Sequence, residues 1–396
     1  ITPRSIFNYN LINKKSTSLL SKKIVSYDKL NYKSDRFFIT ARDNEQIPVV
    51  TVAHKDTVLD SAPILFYGYG SYGINIDAQF RESLIPLLNR GFIFAIINIR
   101  GGGEMGKEWY EKGRMFNKMN TFYDFNDGVK EVLKLGIGDP ENVFARGGSA
   151  GGLLMGAIVN LEPELYKGIL SGVPFVDVLT TMSDPSIPLT TFEYDEWGNP
   201  ANIDEYNYMK QYSPYDNIDK LNYPSIFITS SLFDSQVQYF EPAKYIAKLK
   251  EYNQSENVIL MKMNLIGGHG GLSGKINQFK ETAEEYSFIL NLSEANKLNV
   301  LPMSKEDLIK TSDILSIHVV LGDKYKNLIT KKEFKEMKKS SFLINTSRGE
   351  IINEKDLIEA LENDEIAGIG LDVYNQEPLP QDHKLRFLPN AFLLPH

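Results

Sequence analysis

Residues 143–151 of the chain read Val-Phe-Ala-Arg-Gly-Gly-Ser-Ala-Gly, and this stretch decides the fold. Its first four residues predict a buried strand, and an apolar run that predicts a helix begins at Leu153. Glycines two positions before and two positions after Ser149 permit the tight strand-to-helix turn of a nucleophile elbow. The helix N-terminus and the next backbone N–H would then stabilise an oxyanion. The stretch therefore predicts Ser149 as a nucleophile on an α/β sheet.

A flexible glycine-rich loop and a phosphate-binding loop are the alternatives for the same glycines. A P-loop needs a Lys and a Ser or Thr after its glycines. Leu153 and Leu154 stand there instead, which favours the nucleophile elbow.

A serine hydroxyl becomes a good nucleophile only when a neighbouring imidazole takes its proton, so a histidine is needed. The chain has five. His318, His383 and His396 lie in the last quarter of the chain, and His54 precedes the first crossover of the expected sheet. His269 remains, on a glycine-rich loop after a predicted strand, and we interpret it as the general base.

The third member of such a triad is a carboxylate that orients the histidine. Asp234 follows the predicted strand Ser225–Ser230, although an aspartate in that position also commonly ends a strand by an Asx turn. The order Ser149, Asp234, His269 along the chain is that of α/β-hydrolases. The three residues together favour a Ser-Asp-His triad.

Apolar segments that predict strands alternate with segments that predict helices after about Gln46, and this alternation is typical of a mostly parallel sheet with helices on both faces. After Asn291 the alternation restarts with a predicted helix at Lys305–Lys310 and a predicted strand at Ile314–Val320. A chain of 396 residues is long enough for two domains. We expect segments at residues 1–45, 46–291 and 301–396, with a junction at 292–300.

Composition and charge exclude several function classes. The net charge of −8 argues against nucleic acid as a partner, and the absence of cysteine excludes disulfides, thiolate metal sites and a cysteine nucleophile. No apolar run approaches the ~20 residues of a membrane helix. We expect a cytoplasmic protein without a metal site. The chain begins with Ile1 and ends with His396, as a fragment would, and its sequence does not define an oligomeric state.

The motifs together resemble the prolyl oligopeptidase family over about residues 1–291, and within that family they are similar to oligopeptidase B. The resemblance implies an α/β-hydrolase fold with a preceding β-propeller, of which residues 1–45 resemble only the final strands and the linker. It rests on GYGSYG at 68–73, RGGGE at 100–104, GGSAGG at 147–152, VPFVDV at 173–178, EWGNP at 196–200, DSQV at 234–237 and GHGG at 268–271.

The resemblance also implies roles for site residues. Ser149, Asp234 and His269 would form the triad, with the Tyr69 hydroxyl and the Ala150 amide as oxyanion donors. Glu193 and Asp195 would bind the Lys or Arg side chain before the cleaved bond, and two carboxylates two apart in an extended segment point the same way. Asp77 matches one residue of a second acidic pair, whereas Gln79 replaces the other. The implied substrates are short basic peptides, and the peptidase would need no cofactor.

Residues from about 299 onward resemble the C-terminal part of the NAD-binding domain of D-2-hydroxyacid dehydrogenases, a partial Rossmann-like segment. The motifs are DILSIHVV at 313–320, FLINTSRG at 342–349 and IGLDVYNQEPLP at 369–380. By resemblance Arg348 would bind a substrate carboxylate, Asp372 would face the nicotinamide, and His396 with Glu377 would be the acid/base pair. Residues 293–312 contain no glycine, so the glycine-rich turn that holds the pyrophosphate of NAD is missing before Asp313. We expect this segment to be inactive.

The leading interpretation is a serine endopeptidase that hydrolyses peptides after Lys or Arg through an acyl-enzyme on Ser149. An esterase or aminopeptidase, an NAD-dependent 2-hydroxyacid dehydrogenase and a chimeric product without function are the open alternatives.

Overall fold

The computed structural model describes residues 2–24, 27–293, 304–319 and 321–394, except for the side chain of residue 323. The chain divides into two compact units, Ile1–Leu298 and Asn299–His396, and each is described by itself. Most of the expected junction at 292–300 lies outside the described residues.

The first unit begins with an antiparallel hairpin, β1 (Ser5–Asn10) and β2 (Lys15–Ser21). Most of its side chains are exposed, including Phe7 and Leu20. The amide oxygen of Asn10 accepts hydrogen bonds from two backbone N–H groups of the turn between the strands. Because the hairpin adds little to the buried core, it contributes little to the stability of the unit.

The main sheet of the first unit has eight strands in the order β10-β9-β8-β7-β5-β6-β4-β3. The strands from β10 to β6 in that order run parallel, whereas β4 and β3 are antiparallel to their neighbours. In chain order the strands are β3 (Tyr32–Thr40), β4 (Gln46–His54), β5 (Ile64–Tyr67), β6 (Ile93–Ile97), β7 (Val143–Gly148), β8 (Gly168–Gly172), β9 (Ser225–Ser231) and β10 (Ile259–Asn264).

Helices cover both faces of this sheet, as the sequence predicted. Side chains from α3, α4 and α8 pack in a core on one face, and side chains from α1 and α9 pack on the other. The helices of the unit are α1 (Ile85–Leu88), α2 (Lys107–Glu111), α3 (Met119–Lys134), α4 (Ala150–Leu161), α5 (Val178–Ser183), α6 (Tyr194–Trp197), α7 (Ile203–Lys210), α8 (Phe240–Tyr252) and α9 (Lys275–Leu292). The predicted α/β-hydrolase fold class is confirmed.

The sheet begins earlier in the chain than expected. β3 pairs with β4 along its whole length, from Tyr32 opposite His54 to Thr40 opposite Gln46. Its residues Tyr32 and Ile39 are buried in the two cores. Residues 32–40 are therefore part of the hydrolase sheet rather than a linker before it.

The second unit is a four-stranded parallel sheet of order β11-β12-β13-β14, formed by β11 (Ile314–Ile317), β12 (Phe342–Asn345), β13 (Gly368–Leu371) and β14 (Ala391–Leu393). Three helices pack in one core with Leu315, Leu343 and Ile369 of the sheet. They are α10 (Lys305–Thr311), α11 (Lys331–Glu336) and α12 (Glu354–Glu362). Val320, the last residue of the predicted strand at 314–320, lies outside the described residues.

Among the helices of the described ranges, none combines the length and the hydropathy that a membrane span requires.

Candidate active site

Ser149 lies in a strained turn between β7 and α4. Its backbone has φ 58° and ψ −118°, a conformation that L residues rarely adopt. The turn is tight enough that a Cβ on Gly147 would lie 2.1 Å from the carbonyl oxygen of Gly151. Only glycine therefore fits at position 147, and the turn holds the Ser149 side chain at the carboxyl edge of the sheet.

The structure brings Ser149, His269 and Asp234 together in one hydrogen-bonded chain. The His269 Nε2 atom lies 3.0 Å from Ser149 Oγ, and its Nδ1 atom lies 2.8 Å from Asp234 Oδ2. Ser149 follows β7, Asp234 follows β9 and His269 follows β10. Because these strands are parallel, the three loops meet at the same edge of the sheet.

The Asp234 carboxylate is held by backbone N–H groups as well as by His269. It is 4% exposed, and its Oδ1 accepts hydrogen bonds from the backbone N–H groups of Gln236 and Val237, each 2.9 Å long. Burial by itself would raise the pKa of Asp234, but the hydrogen bonds from His269 and from these two N–H groups outweigh it and lower the pKa. The carboxylate is therefore ionised and fixed in the orientation that the histidine ring needs.

Tyr69 lies beside the nucleophile. Its hydroxyl lies within reach of the Ser149 side chain, and burial raises the pKa of Tyr69 to about 12. The phenol therefore keeps its proton at neutral pH and can donate it in a hydrogen bond. Ala150 is the first residue of α4, a position where a backbone N–H has no acceptor within the helix. Both expected oxyanion donors therefore lie next to Ser149.

A pocket opens beside Ser149 and carries one carboxylate, that of Glu193. Glu193 Oε2 accepts hydrogen bonds from the Tyr72 hydroxyl at 2.8 Å and from Trp197 Nε1 at 2.9 Å. The ring of Phe175 contacts the Trp197 ring, with centroids 5.4 Å apart. These aromatic side chains form walls around a fixed negative charge, which suits a cation on an aliphatic stem.

The expected extended segment at Glu193 and Asp195 is wrong. The backbone N–H of Trp197 donates to the carbonyl of Glu193, so residues 193–197 form a helical turn. Side chains two apart on a helix point in different directions. Asp195 is accordingly exposed and does not line the pocket, whereas Glu193 does.

Asp77 is also exposed, on the loop after the Gly68–Gly73 turn, and it does not line the pocket beside Ser149. That loop is held by Glu104, whose Oε1 accepts hydrogen bonds from Ile76 N at 2.7 Å and from Asn98 Nδ2 at 2.9 Å.

The buried Glu241 at the start of α8 supports the part of the pocket lining that contains Phe175 and Thr181. It accepts hydrogen bonds from the backbone N–H groups of Val176 and Asp177 and from the Thr181 hydroxyl. Burial raises the pKa of Glu241 to about 8, and the neighbouring charge of Asp177 acts in the same direction. Because Phe175 and Thr181 line the pocket, Glu241 fixes the segment that carries them.

Sequence reasoning missed three side chains near this pocket. Tyr72 stands in the quoted GYGSYG motif, so its motif was the available signal. Glu196 accepts hydrogen bonds from the Tyr72 N–H and from the Tyr110 hydroxyl, and it is 4% exposed. Lys118 is 1% exposed, and no sequence pattern distinguishes it from a surface lysine.

In the second unit the dehydrogenase-like residues lie at the carboxyl ends of β12 and β13. Arg348 is exposed and donates to the Ser347 carbonyl, and Asp372 directly follows β13. Glu377 is exposed and accepts a hydrogen bond from the Tyr374 N–H. His396 lies outside the described residues.

The described part of the second unit contains no glycine-rich turn of the kind that holds a dinucleotide. Dinucleotides are held by a glycine-rich turn between a strand and the N-terminus of the next helix. Within residues 304–319 and 321–394, β11 is the first strand, and the turn after β12 has a single glycine, Gly349. A Cβ on Gly349 would lie 2.2 Å from the carbonyl carbon of Tyr374, so that glycine serves close packing between two loops.

No group of three or more His, Asp or Glu side chains suited to a metal ion occurs in the portion of the chain that the structure describes.

Comparison with known families agrees with this geometry. The model of the prolyl oligopeptidase family matches residues 78–295, more than half of the chain. The chain belongs to the prolyl oligopeptidase family. Residues 278–396 match the model of the D-isomer specific 2-hydroxyacid dehydrogenase, NAD binding domain.

Curated relatives of this prolyl oligopeptidase family member include a protein named dipeptidyl aminopeptidase BI from Pseudoxanthomonas mexicana, which is 47% identical over 73% of this chain and 40% of its own length. Protease 2 from Moraxella lacunata is 45% identical over 74% of this chain and 42% of its own length. The chain thus spans about two fifths of the length of these relatives.

Among solved structures, oligopeptidase B from Leishmania major is similar with a TM-score of 0.72 and 42% identity, over 74% of this chain and 41% of that chain. Oligopeptidase B from Trypanosoma brucei, in a closed form with covalently bound antipain, gives a TM-score of 0.71 and 40% identity, over 74% of this chain and 42% of that chain.

Proposed function

We propose that this chain is a serine endopeptidase that cleaves short peptides after Lys or Arg. The observation that carries the proposal is the hydrogen-bonded chain from Asp234 through His269 to Ser149, next to a pocket whose carboxylate is Glu193. Membership of the prolyl oligopeptidase family supports the hydrolase class.

In the proposed reaction, His269 Nε2 takes the proton of the Ser149 hydroxyl as Oγ bonds to the carbonyl carbon of the substrate. The negative charge that develops on the carbonyl oxygen is stabilised by the Tyr69 hydroxyl and the Ala150 N–H. His269 then gives its proton to the leaving amine, the C–N bond breaks, and an acyl-enzyme on Ser149 remains.

Deacylation repeats these proton transfers with water. His269 takes a proton from the attacking water molecule, and the proton returns to Ser149 Oγ when the acyl bond breaks. Throughout, the carboxylate of Asp234 stabilises the imidazolium and keeps Nδ1 protonated.

The preference for a basic residue is supported by Glu193. Its Oε2 is engaged by Tyr72 and Trp197, so the two donors hold the carboxylate in one orientation inside the pocket. An ammonium or guanidinium group would meet an ordered acceptor there, and charge-assisted hydrogen bonds are about twice as strong as neutral ones. Asp195 and Asp77 are exposed and do not line this pocket.

The test compares the hydrolysis of N-blocked arginyl, lysyl and leucyl amides by the wild type and by Ser149→Ala. We expect the basic amides to be cleaved more than about tenfold faster than the leucyl amide, and Ser149→Ala to be inactive. Equal rates for all three amides, or an active Ser149→Ala variant, would contradict the proposal.

A dipeptidyl aminopeptidase is a second candidate, because one relative carries that name. The same assay separates the two functions when an unblocked dipeptidyl amide is added. Cleavage of the N-blocked amides supports an endopeptidase, whereas cleavage of the unblocked dipeptidyl amide alone supports the aminopeptidase.

For the second unit we propose that Arg348, Asp372, Glu377 and His396 carry no NAD-dependent reaction, because no pyrophosphate-binding turn accompanies them within the described residues. We further propose the cytoplasm as the location, which is compatible with a chain that has no cysteine.

A further inference from the structure

Lys118 is a buried lysine that contacts two parts of the candidate site, the turn Gly68–Gly73 and the Trp197 ring. It directly precedes α3, and its residue is 1% exposed. The ammonium donates to the Gly70 carbonyl at 2.7 Å and to Ser71 Oγ at 2.8 Å. Its Nζ atom also lies 5.0 Å from the centre of the Trp197 ring. Two of its three protons therefore have oxygen acceptors, and the third side of the ammonium faces an aromatic ring.

Neither oxygen acceptor is a carboxylate, so this cation is buried without a direct counterion. Burial lowers the pKa of Lys118 to about 8, and the charge of Glu196 acts in the opposite direction. Burial of a charge costs free energy, and an apolar side chain of similar size would often be at least as stable. The contacts of Lys118 are therefore better explained by what they position than by stability.

The first segment that Lys118 contacts is the turn Gly68–Gly73. Gly70 and Ser71 lie between Tyr69, the proposed oxyanion donor, and Tyr72, whose hydroxyl donates to Glu193. Tyr72 has a φ of 60°, which an ordinary side chain adopts only when its surroundings impose it. Lys118 supplies two of the hydrogen bonds that hold this turn.

The second contact of Lys118 is with the side chain of Trp197, on α6. The Trp197 ring packs against Tyr72 with centroids 5.6 Å apart, and its Nε1 donates to Glu193. The ammonium of Lys118 therefore contacts both the turn that carries the oxyanion donor and the ring that orients the pocket carboxylate.

We propose that Lys118 is a positioning residue that fixes the Tyr69 turn against Trp197, so that the oxyanion donor and the substrate pocket keep one relative arrangement. This inference rests on the proposed peptidase function. Lys118 touches neither the substrate nor the reacting atoms, and it acts through Tyr69 and Trp197.

The experiment is a double-mutant cycle on the full chain with an N-blocked arginyl amide, using Lys118→Met, Tyr69→Phe and the double variant. We expect Lys118→Met to lower kcat about tenfold or more, because a small displacement of a catalytic group is costly. In the Tyr69→Phe background the same change should have little further effect on kcat, because the donor that Lys118 positions is already absent. Lys134→Met, which changes an exposed lysine at the end of α3, is the matched control and should behave as the wild type.

A purely structural lysine would give a different pattern. If Lys118→Met retains the wild-type kcat, or if its loss of kcat is equally large in the Tyr69→Phe background, the inference is overturned. A wild type that neither turns over the amide nor reacts with a fluorophosphonate overturns the proposed function instead.

If the wild type shows no activity, a measurement independent of activity decides the inference about Lys118. Near-ultraviolet circular dichroism of Lys118→Met should differ from that of the wild type and of Lys134→Met, because the neighbouring rings of Tyr69, Tyr72 and Trp197 lose their fixed arrangement when Lys118 no longer holds the turn. Identical spectra for the wild type and Lys118→Met would overturn the inference.

Discussion

The Nδ1 atom of His269 lies 3.0 and 2.8 Å from the two carboxylate oxygens of Asp234, while the opposite ring nitrogen lies 3.0 Å from Ser149 Oγ. A carboxylate accepts only, so it selects the tautomer in which Nδ1 carries the proton and Nε2 is free to take one. The geometry thus assigns the direction of proton transfer from serine to histidine.

Asp234→Asn should therefore lower kcat by about 10³- to 10⁴-fold, because the amide would present a donor to Nδ1 and select the wrong tautomer. Steady-state hydrolysis of an N-blocked arginyl amide measures the effect. Asp204→Asn, on the exposed side of α7, is the control and should retain activity. Activity within tenfold of the wild type in Asp234→Asn would show that Asp234 does not orient the histidine.

Substitutions of Glu193 and Asp195 should have different effects on substrate preference. Glu193→Gln should reduce the preference for arginyl over leucyl amides about ten- to a hundredfold, because it removes the charge that lines the pocket. Asp195→Asn should change this preference little, because Asp195 is exposed. Comparison of kcat/KM for the two amides checks both variants. An intact preference in Glu193→Gln would place the specificity elsewhere.

Glu241 should make the stability of the first unit depend on pH. Its pKa rises from 4.5 to about 8 on folding, so between about pH 5 and 8 the folded chain keeps a proton that the unfolded chain releases. The free energy of unfolding should therefore fall as the pH rises through this window, and Glu241→Gln should remove this contribution. Glu251→Gln, at the exposed end of the same helix, should leave it unchanged.

Unfolding can be followed by tryptophan fluorescence, since the two tryptophans of the chain, Trp109 and Trp197, both lie in the first unit. A wild type and a Glu241→Gln variant whose stabilities change in parallel between pH 5 and 8 would contradict the assignment.

The second unit should show no micromolar affinity for NAD in calorimetric titration of the full chain, because its described residues hold no glycine-rich pyrophosphate turn. A micromolar affinity that Asp372→Ala abolishes would show that the dehydrogenase-like segment binds the dinucleotide by other means.

The fold class, and the meeting of Ser149, Asp234 and His269 at one edge of the sheet, could be predicted from the sequence because both depend on local patterns. The glycines around Ser149 define a turn, and parallel strands place the loops that carry Asp234 and His269 at one edge. The orientation of Glu193 and Asp195 was not predictable in the same way, because a short segment becomes helical or extended according to its tertiary contacts. Lys118 has its hydrogen-bond partners in a turn far away in the sequence, so its burial leaves no local signal.

The most direct test of the account is the site at which a fluorophosphonate attaches to the wild-type protein. Peptide mass mapping should find the adduct on Ser149, labelling should disappear in Ser149→Ala, and it should be strongly reduced in His269→Ala, because an unassisted serine hydroxyl is a weak nucleophile. An adduct on another serine, or undiminished labelling of Ser149→Ala, would contradict the assignment of Ser149 as the nucleophile.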